Sequence, residues 1–206
     1  LATMMVGRET FGVTRQSETN PDNEKVFEVE NLSALDEKGL PALKNMKFFI
    51  RSCEILGLAG VGGNGQKELA EILSGVKTPT NGSVKINSQE LIGKNPSEFS
   101  KLGMGRIPED RHEGVVGDLT VYENLALEYL DEYTNKGFLD RKRIQTNAET
   151  LIEQFQIKAK PTDRIRTLSG GNMQKVLLAR VLSRQPKVVI APQPTRGLDV
   201  GATEYV

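Results

Sequence analysis

The sequence predicts an α/β fold, and three stretches carry the prediction. Leu168-Ser169-Gly170-Gly171-Asn172-Met173-Gln174-Lys175 leads into an apolar-periodic run, residues 176–182, of the kind that buries a helix face. A short apolar strand at residues 187–191 then runs into Gln193-Pro194-Thr195-Arg196-Gly197-Leu198-Asp199. Earlier, a glycine-rich loop at residues 60–65 stands between an apolar stretch, 54–59, and a helix-period segment, 67–73. Strands that feed helices through glycine turns are the pattern of α/β domains.

Composition narrows the class. The chain has 206 residues and 37% hydrophobic content, enough for one globular core. Lys+Arg and Asp+Glu are equal at 27 each, which argues against a dedicated nucleic-acid binder. Cys53 is the one cysteine and His112 the one histidine, so a disulfide framework and a Cys- or His-built metal site are both excluded, and no metal is expected. No apolar run reaches the length of a membrane span, and the N-terminus lacks a signal-peptide pattern. The expected compartment is the cytosol, with any membrane association made through a partner.

Taken in order, residues 1–25 are polar and aperiodic and read as a mobile tail or linker. Residues 26–32 alternate apolar and polar and predict a strand; residues 42–50 predict a second, after the turn at Gly39-Leu40-Pro41. Residues 54–59 are more uniformly apolar and predict a central strand. Asn81-Gly82 predicts a hairpin turn before a strand at 83–87, and residues 103–107 predict another strand. The charged run Pro108-Glu109-Asp110-Arg111-His112-Glu113-Gly114 reads as a loop. Thr120-Val121-Tyr122-Glu123 is a capping box that opens a helix through Leu130. Residues 140–155 predict an amphipathic helix with Ile144, Leu151, Ile152 and Phe155 apolar, and Arg141-Lys142-Arg143 at its start reads as solvated. Ser169 is a good N-cap for the helix that follows it.

The loop Gly60-Val61-Gly62-Gly63-Asn64-Gly65 fits two templates on its own residues. Gly60, Gly62 and Gly65 satisfy the dinucleotide fingerprint, with Glu90 as an acidic residue near a later strand end. Gly60 and Gly65 also satisfy the first part of a phosphate-binding Walker A loop. A plain glycine turn remains open beside both.

The order of signature, helix, strand and Asp-containing loop resembles the ATP-binding cassette family. Leu168–Lys175 matches the family signature, and Pro194-Thr195 with Gly197-Leu198-Asp199 matches the segment after the Walker B strand. The resemblance covers residues 26–206 and selects the Walker A register for the glycine loop. It implies a P-loop NTPase core with a small antiparallel β layer and an inserted α-helical subdomain at about 110–167. It also implies that the C-terminal part of a cassette is missing after Val206. Leu1–Arg8 resembles the connector between tandem cassettes of sugar and nucleoside importers, and the run Ile107–His112 resembles the second cassette of the nucleoside type.

Within that register the phosphate machinery departs from the family. The Walker A residues are Gly60, Gly63, Asn64, Gly65, Gln66, Lys67 and Glu68: Gln66 and Lys67 stand where the family has Lys and then Ser or Thr, and Glu68 follows. Losing one charge-assisted phosphate contact costs about 1.5–3 kcal/mol, roughly tenfold to a hundredfold in affinity. Glu109 stands at the family's Q-loop glutamine. Pro192 and Gln193 stand at the Mg²⁺-binding Asp and the catalytic Glu. Leu35 and Leu40 replace the expected adenine-stacking aromatic. The signature residues Ser169, Gly170, Gly171, Asn172 and Gln174 are intact, as is Asp199 of the Asp-loop.

The resemblance thus implies the second nucleotide-binding domain of a bacterial importer ATPase, nucleoside ahead of sugar. Its own site would bind ATP weakly or not at all. Its signature would close over ATP and Mg²⁺ held by the first cassette of the same polypeptide. Transmembrane permease subunits and, indirectly, an extracytoplasmic substrate-binding protein would be the other partners, at the cytoplasmic face of the membrane, with no nucleic acid. Three other expectations stand beside it: a dinucleotide-dependent oxidoreductase, a non-transport cassette regulator, and a pairing domain that binds no nucleotide.

Overall fold

The computed structural model describes residues 23–206. The expected tail at 1–25 therefore lies outside the described residues except for 23–25, and Lys25 already opens the first strand. In chain order the elements are β1 (Lys25–Leu35), β2 (Pro41–Arg51), α1 (Gln66–Ile72), β3 (Asn81–Ile86), β4 (Gln89–Glu90), α2 (Pro96–Lys101), β5 (Met104–Arg106), α3 (Val121–Ala126), a 3-10 segment (Leu127–Tyr133), β6 (Thr134–Asn135), β7 (Phe138–Leu139), α4 (Arg141–Gln154), a 3-10 turn (Ile165–Thr167), α5 (Gly170–Leu182), β8 (Val188–Ile190) and α6 (Val200–Tyr205). They fall into two compact units. One holds residues 23–106 with Pro186–Ile190; the other holds Ile107–Gln185 with Ala191–Val206.

In the first unit, β2-β1-β3-β4 form an antiparallel sheet. The alternation along β1 places Phe27, Val29, Leu32 and Ala34 in the core, where they meet Val84, Ile86, Leu91, Ile72 and Phe99. The turn expected at Asn81-Gly82 is not there: those residues open β3, and Asn81 pairs with Ser33 of β1. The hairpin instead turns at Asn87-Ser88, both with positive φ (45° and 64°), the backbone a two-residue primed turn requires. An Asn-Gly pair marks a turn only where the sheet ends, and here β1 extends far enough to pair it.

The central strand expected at 54–59 also does not form. Ile55 is 95% exposed, and among the described residues no ladder takes this segment. The chain leaves β2 through a turn in which the Glu54 carboxylate accepts from Arg51 N at 2.7 Å and Cys53 has φ 62°. Apolarity suits a run to the centre of a sheet but supplies no neighbour for its backbone groups. The parallel pairing in this unit is between β5 and β8, joined from Met104–Val188 to Arg106–Ile190.

The second unit is built around α5. Met173, Val176, Leu177, Leu178, Ala179 and Val181 are buried, and part of this face meets Val121, Leu125, Ala148, Leu151 and Ile165. The capping box at Thr120 forms as expected. Its hydroxyl accepts from Glu123 N, and the Glu123 carboxylate accepts from Thr120 N at 2.9 Å. Hydrogen bonds from the Thr120 hydroxyl and N–H hold the Glu123 carboxyl below its ordinary value. The expected continuation to Leu130 tightens into 3-10 geometry after Ala126 and breaks at Tyr129. Asp140 caps α4 through Arg143 N, and Ile144, Ala148 and Leu151 form its buried stripe.

Two buried polar side chains tie loops to this helical core. Arg180, 3% exposed, donates to the carbonyls of Gly114 and Asn124 and pairs with Glu128. Asn124 is fully buried; its Oδ1 accepts from Val116 N at 2.9 Å, and its Nδ2 donates to the carbonyls of Val116 and Thr120. Replacing Asn124 by Leu strips partners from buried backbone groups, each at about 1–3 kcal/mol. Asn124→Leu is therefore expected to lower unfolding free energy by about 2–4 kcal/mol. Denaturant titration checks this, and a midpoint unchanged from wild type would refute the role given to Asn124.

Candidate functional site

The glycine loop belongs to the first unit. Gly65 is the N-cap of α1 with φ 87°, and a Cβ there would meet the Ala42 carbonyl oxygen at 2.5 Å, so both conformation and space require glycine. Gln66, at the position of the family's phosphate-binding lysine, turns back on the loop. Its Nε2 donates to the Val61 carbonyl at 3.0 Å, and its Oε1 accepts from Asn64 N at 3.1 Å. A backbone N–H that a phosphate loop would offer to an anion is thus already engaged by a neutral amide. Gly60 lies under the same amide, 2.7 Å from Nε2 to the place of a Cβ. Gly62 and Gly63 meet nothing within reach.

Lys67 is directed elsewhere. Its Nζ pairs with Glu37 at 2.6 Å and lies 3.9 Å from Glu71. The hydrogen bond with Glu37 raises the Lys67 ammonium above the usual lysine value and lowers the Glu37 carboxyl. Glu68 is the acidic residue in the first turn of α1, beside the loop. Glu90, the acid that the dinucleotide template would place on a ribose, accepts from three backbone N–H groups, Val84, Leu91 and Ile92, at 3.0–3.1 Å. Its carboxylate is consumed in closing β4, which removes the support for that template. Leu35 and Leu40 are 41% and 60% exposed, and neither offers an aromatic face.

The signature belongs to the second unit. Ser169 caps α5 through Asn172 N and also accepts from Asn172 Nδ2 at 3.0 Å. Asn172 Oδ1 accepts from Lys158 N at 2.8 Å, and Gln174, 4% exposed, donates to the Pro194 carbonyl at 3.0 Å. The side chains of Asn172 and Gln174 thus hold the helix start to its neighbours. The first-turn N–H groups of Gly170 and Gly171 have no intrahelical acceptor. Asp199 caps α6, accepting from Ala202 N at 2.8 Å. Helix α6 is anchored by the Tyr205 hydroxyl, which donates to the Phe155 carbonyl at 2.8 Å.

Pro192 and Gln193 follow β8. Gln193 has φ 42°, a left-handed backbone unusual outside glycine, and its Nε2 donates to Glu109 Oε1 at 3.0 Å. The same oxygen pairs with Arg196. The residues at the family's Q-loop and catalytic-glutamate positions are therefore joined to each other. Arg111 was not singled out from the sequence. It donates to the carbonyls of Arg196 and Gly197 at 2.9 and 3.4 Å. Nothing in its charged run distinguishes it from Arg106 or Lys101. His112 and Cys53 make no cluster, and among the described residues no group of three or more His, Cys, Asp or Glu is placed to hold a metal.

A family model for the ABC transporter matches residues 43–196. The chain belongs to this family. It is 38% identical over 210 residues to the nucleoside import ATP-binding protein NupA of Lactococcus lactis subsp. cremoris, covering 100% of this chain and 41% of that protein. It is 41% identical over 212 residues to the glucose import ATP-binding protein TsgD13 of Haloferax volcanii, covering 100% of this chain and 38% of that protein. The chain thus spans about 40% of the length of these relatives. A solved ATP-binding cassette of an ABC transporter, in its ADP conformation, superposes with a TM-score of 0.74 at 19% identity, covering 89% of this chain and 74% of that one. The cassette fold is shared. Among the described residues no helix is long and apolar enough to cross a membrane.

In the glycine loop Gln66 hydrogen-bonds within the loop and carries no charge, and Lys67 pairs with Glu37. Removing the amide is expected to free the loop without unfolding the unit. Gln66→Ala should speed hydrogen exchange at Asn64 N by about tenfold, the worth of one hydrogen bond, with the melting temperature nearly unchanged. Unaltered exchange at Asn64 would mean that the amide does not hold the loop.

Proposed function

We propose that this chain is the second nucleotide-binding domain of an importer's ATPase subunit, one whose own Walker site does no chemistry. It serves a partner cassette through its signature. The observation that carries the reading is a contrast. Gln66 occupies the glycine loop from within, while the first turn of α5 keeps two glycine N–H groups and a capped, anchored helix behind them. A helix N-terminus of this kind favours an anion. Gly170 and Gly171 would face the phosphates of an ATP held by the first cassette of the same polypeptide, and Ser169 would donate its hydroxyl. Mg²⁺ would belong to that partner's site, because Pro192 ligates nothing and Gln193 is not a base.

The domain assignment that goes with this reading is a connector at 1–25, a cassette from 26 onward, and a helical insertion at about 110–167. Permease subunits would contact the helical insertion. A shallow apolar groove of about 170 Å³ is lined there by Leu119, Tyr122, Leu127, Leu130 and Ile144, with Glu123 and Arg141 at its rim. An extracytoplasmic binding protein would act through those subunits, and the domain would lie at the cytoplasmic face of the membrane. Nucleosides are favoured over sugars by the run Ile107–His112, since relatives named for either cargo are about equally similar.

The test uses the assembled transporter. Gly171 is absent from the positive-φ glycines, and a Cβ there would lie 3.2 Å from Ala202 Cβ, so any side chain costs a small shift of α6. Gly171→Ala carries that cost alone. Gly171→Asp adds an anion where the partner's phosphate would sit, and it is expected to cut ATP turnover about a hundredfold or more below Gly171→Ala. The isolated chain should release no phosphate. Equal turnover of the two variants, or steady hydrolysis by the isolated chain, would overturn the assignment.

A further inference from the structure

We propose that Arg111 is a positioning residue: its guanidinium is a strut that sets the start of α5 and the Asp-containing loop at 194–199 in one fixed arrangement. Its Nη1 donates to the Arg196 carbonyl at 2.9 Å, and Nη2 reaches the Gly197 carbonyl at 3.4 Å. On the other side it lies against Gly170. A Cβ at Gly170 would stand 3.0 Å from Nε and 3.1 Å from Nη2. The Nε is buried without a hydrogen-bond partner. A planar fork is suited to bridging two neighbouring carbonyls, which a lysine ammonium does as a point charge at best.

The strut accounts for two glycines at once. Gly170 leaves the room that the guanidinium fills. Gly197 combines a left-handed backbone, φ 67°, with Arg111 Nη1 only 3.4 Å from the place of a Cβ. The carbonyls it engages face a guanidinium beside a helix N-terminus, so two sources of positive charge lie together. Such a placement is unfavourable by itself and is offset by the two carbonyl oxygens. Arg196, whose carbonyl the strut holds, also pairs with Glu109, so the loop is fixed through its backbone and its side chain together.

The consequence for turnover rests on the proposed role of the signature in trans; the mechanical coupling does not. In that role, Gly170 and the segment 194–199 must be presented together, and ATP affinity resides in the partner cassette. Losing Arg111 should then lower kcat and leave KM for ATP in place.

The experiment compares Arg111→Ala and Arg111→Lys in the assembled transporter, with hydrogen exchange read at the bonded amides of Met173, Arg196 and Leu198. Arg111→Ala is expected to lower kcat by about tenfold to a hundredfold, the worth of charge-assisted bonds, with KM within about twofold. Exchange should quicken at Met173 and at Arg196 and Leu198 together. Arg111→Lys keeps the charge but not the fork and should recover less than half of the loss. Quickening at only one of the two segments, or full recovery by Lys, would overturn the strut; normal kcat in Arg111→Ala with both segments quickened would leave the strut in place and overturn its consequence for turnover. A wild-type assembly without ATP turnover would instead refute the functional reading, and the exchange data would still decide the strut.

Discussion

The bond from the buried Gln174 Nε2 to the half-buried Pro194 carbonyl, 3.0 Å long, fixes what the second unit can present. Helix α5 is buried along most of its length, and its interior positions are spent on the core formed with α3 and α4. Gln174 is the one polar side chain within its first two turns that is buried, and it faces the segment that leaves β8. An unpaired amide at this depth would cost about 1–3 kcal/mol, so the bond is enforced by burial as much as by its own strength. It brings Pro194 and the residues after it up to the helix start. Asn172, bonded to Lys158 N, fixes the same end from the other side. The outward groups of the first turn are then few and their positions are set.

The glycine loop of the first unit follows the opposite logic. A working phosphate loop keeps its backbone N–H groups unpaired and depends on the ligand to satisfy them. Here the Gln66 amide supplies both halves of a hydrogen-bonded bridge within the loop, a donor for Val61 and an acceptor for Asn64. A lysine could donate to the carbonyl but could not accept from the N–H, so the closed loop is a property of glutamine in particular. Lys67 could not substitute for it: one residue further along, it projects to the Glu37 side of α1. Gln66 and Lys67 thus each have a partner within this unit.

Much of this was legible in the sequence because it is local. The caps at Ser169 and Thr120 are written in side chains three residues from the amides they bond, and the buried stripe of α5 follows from its 3.6-residue period. What failed was pairing. Residues 54–59 have the composition of a central strand yet run single, and Asn81-Gly82 has the chemistry of a turn yet lies within a ladder. Both depend on which strand lies alongside, and residue type does not encode that. Arg111 and the engagement of Glu90 failed to show for a related reason. Their partners are backbone groups, and for Arg111 these lie more than eighty residues away, so no side-chain pattern announces them.

The substitutions at Glu109 and Gln193 are coupled in the same way. The family resemblance assigns an amide to the first position and a carboxylate to the second, and this chain has them exchanged. In this chain the two are hydrogen-bonded, since Gln193 Nε2 donates to Glu109 Oε1. The exchange also moves the negative charge next to Arg196, which pairs with the same oxygen. Changing only Gln193 to a carboxylate would set two anions at hydrogen-bonding distance, where one must either take up a proton or move away. Changing only Glu109 to an amide would leave Arg196 without its counter-charge. Either single reversion therefore meets a penalty, while the pair as it stands is satisfied. The pairing ties Glu109 to the segment that carries Pro194 to Asp199 up to the first turn of α5.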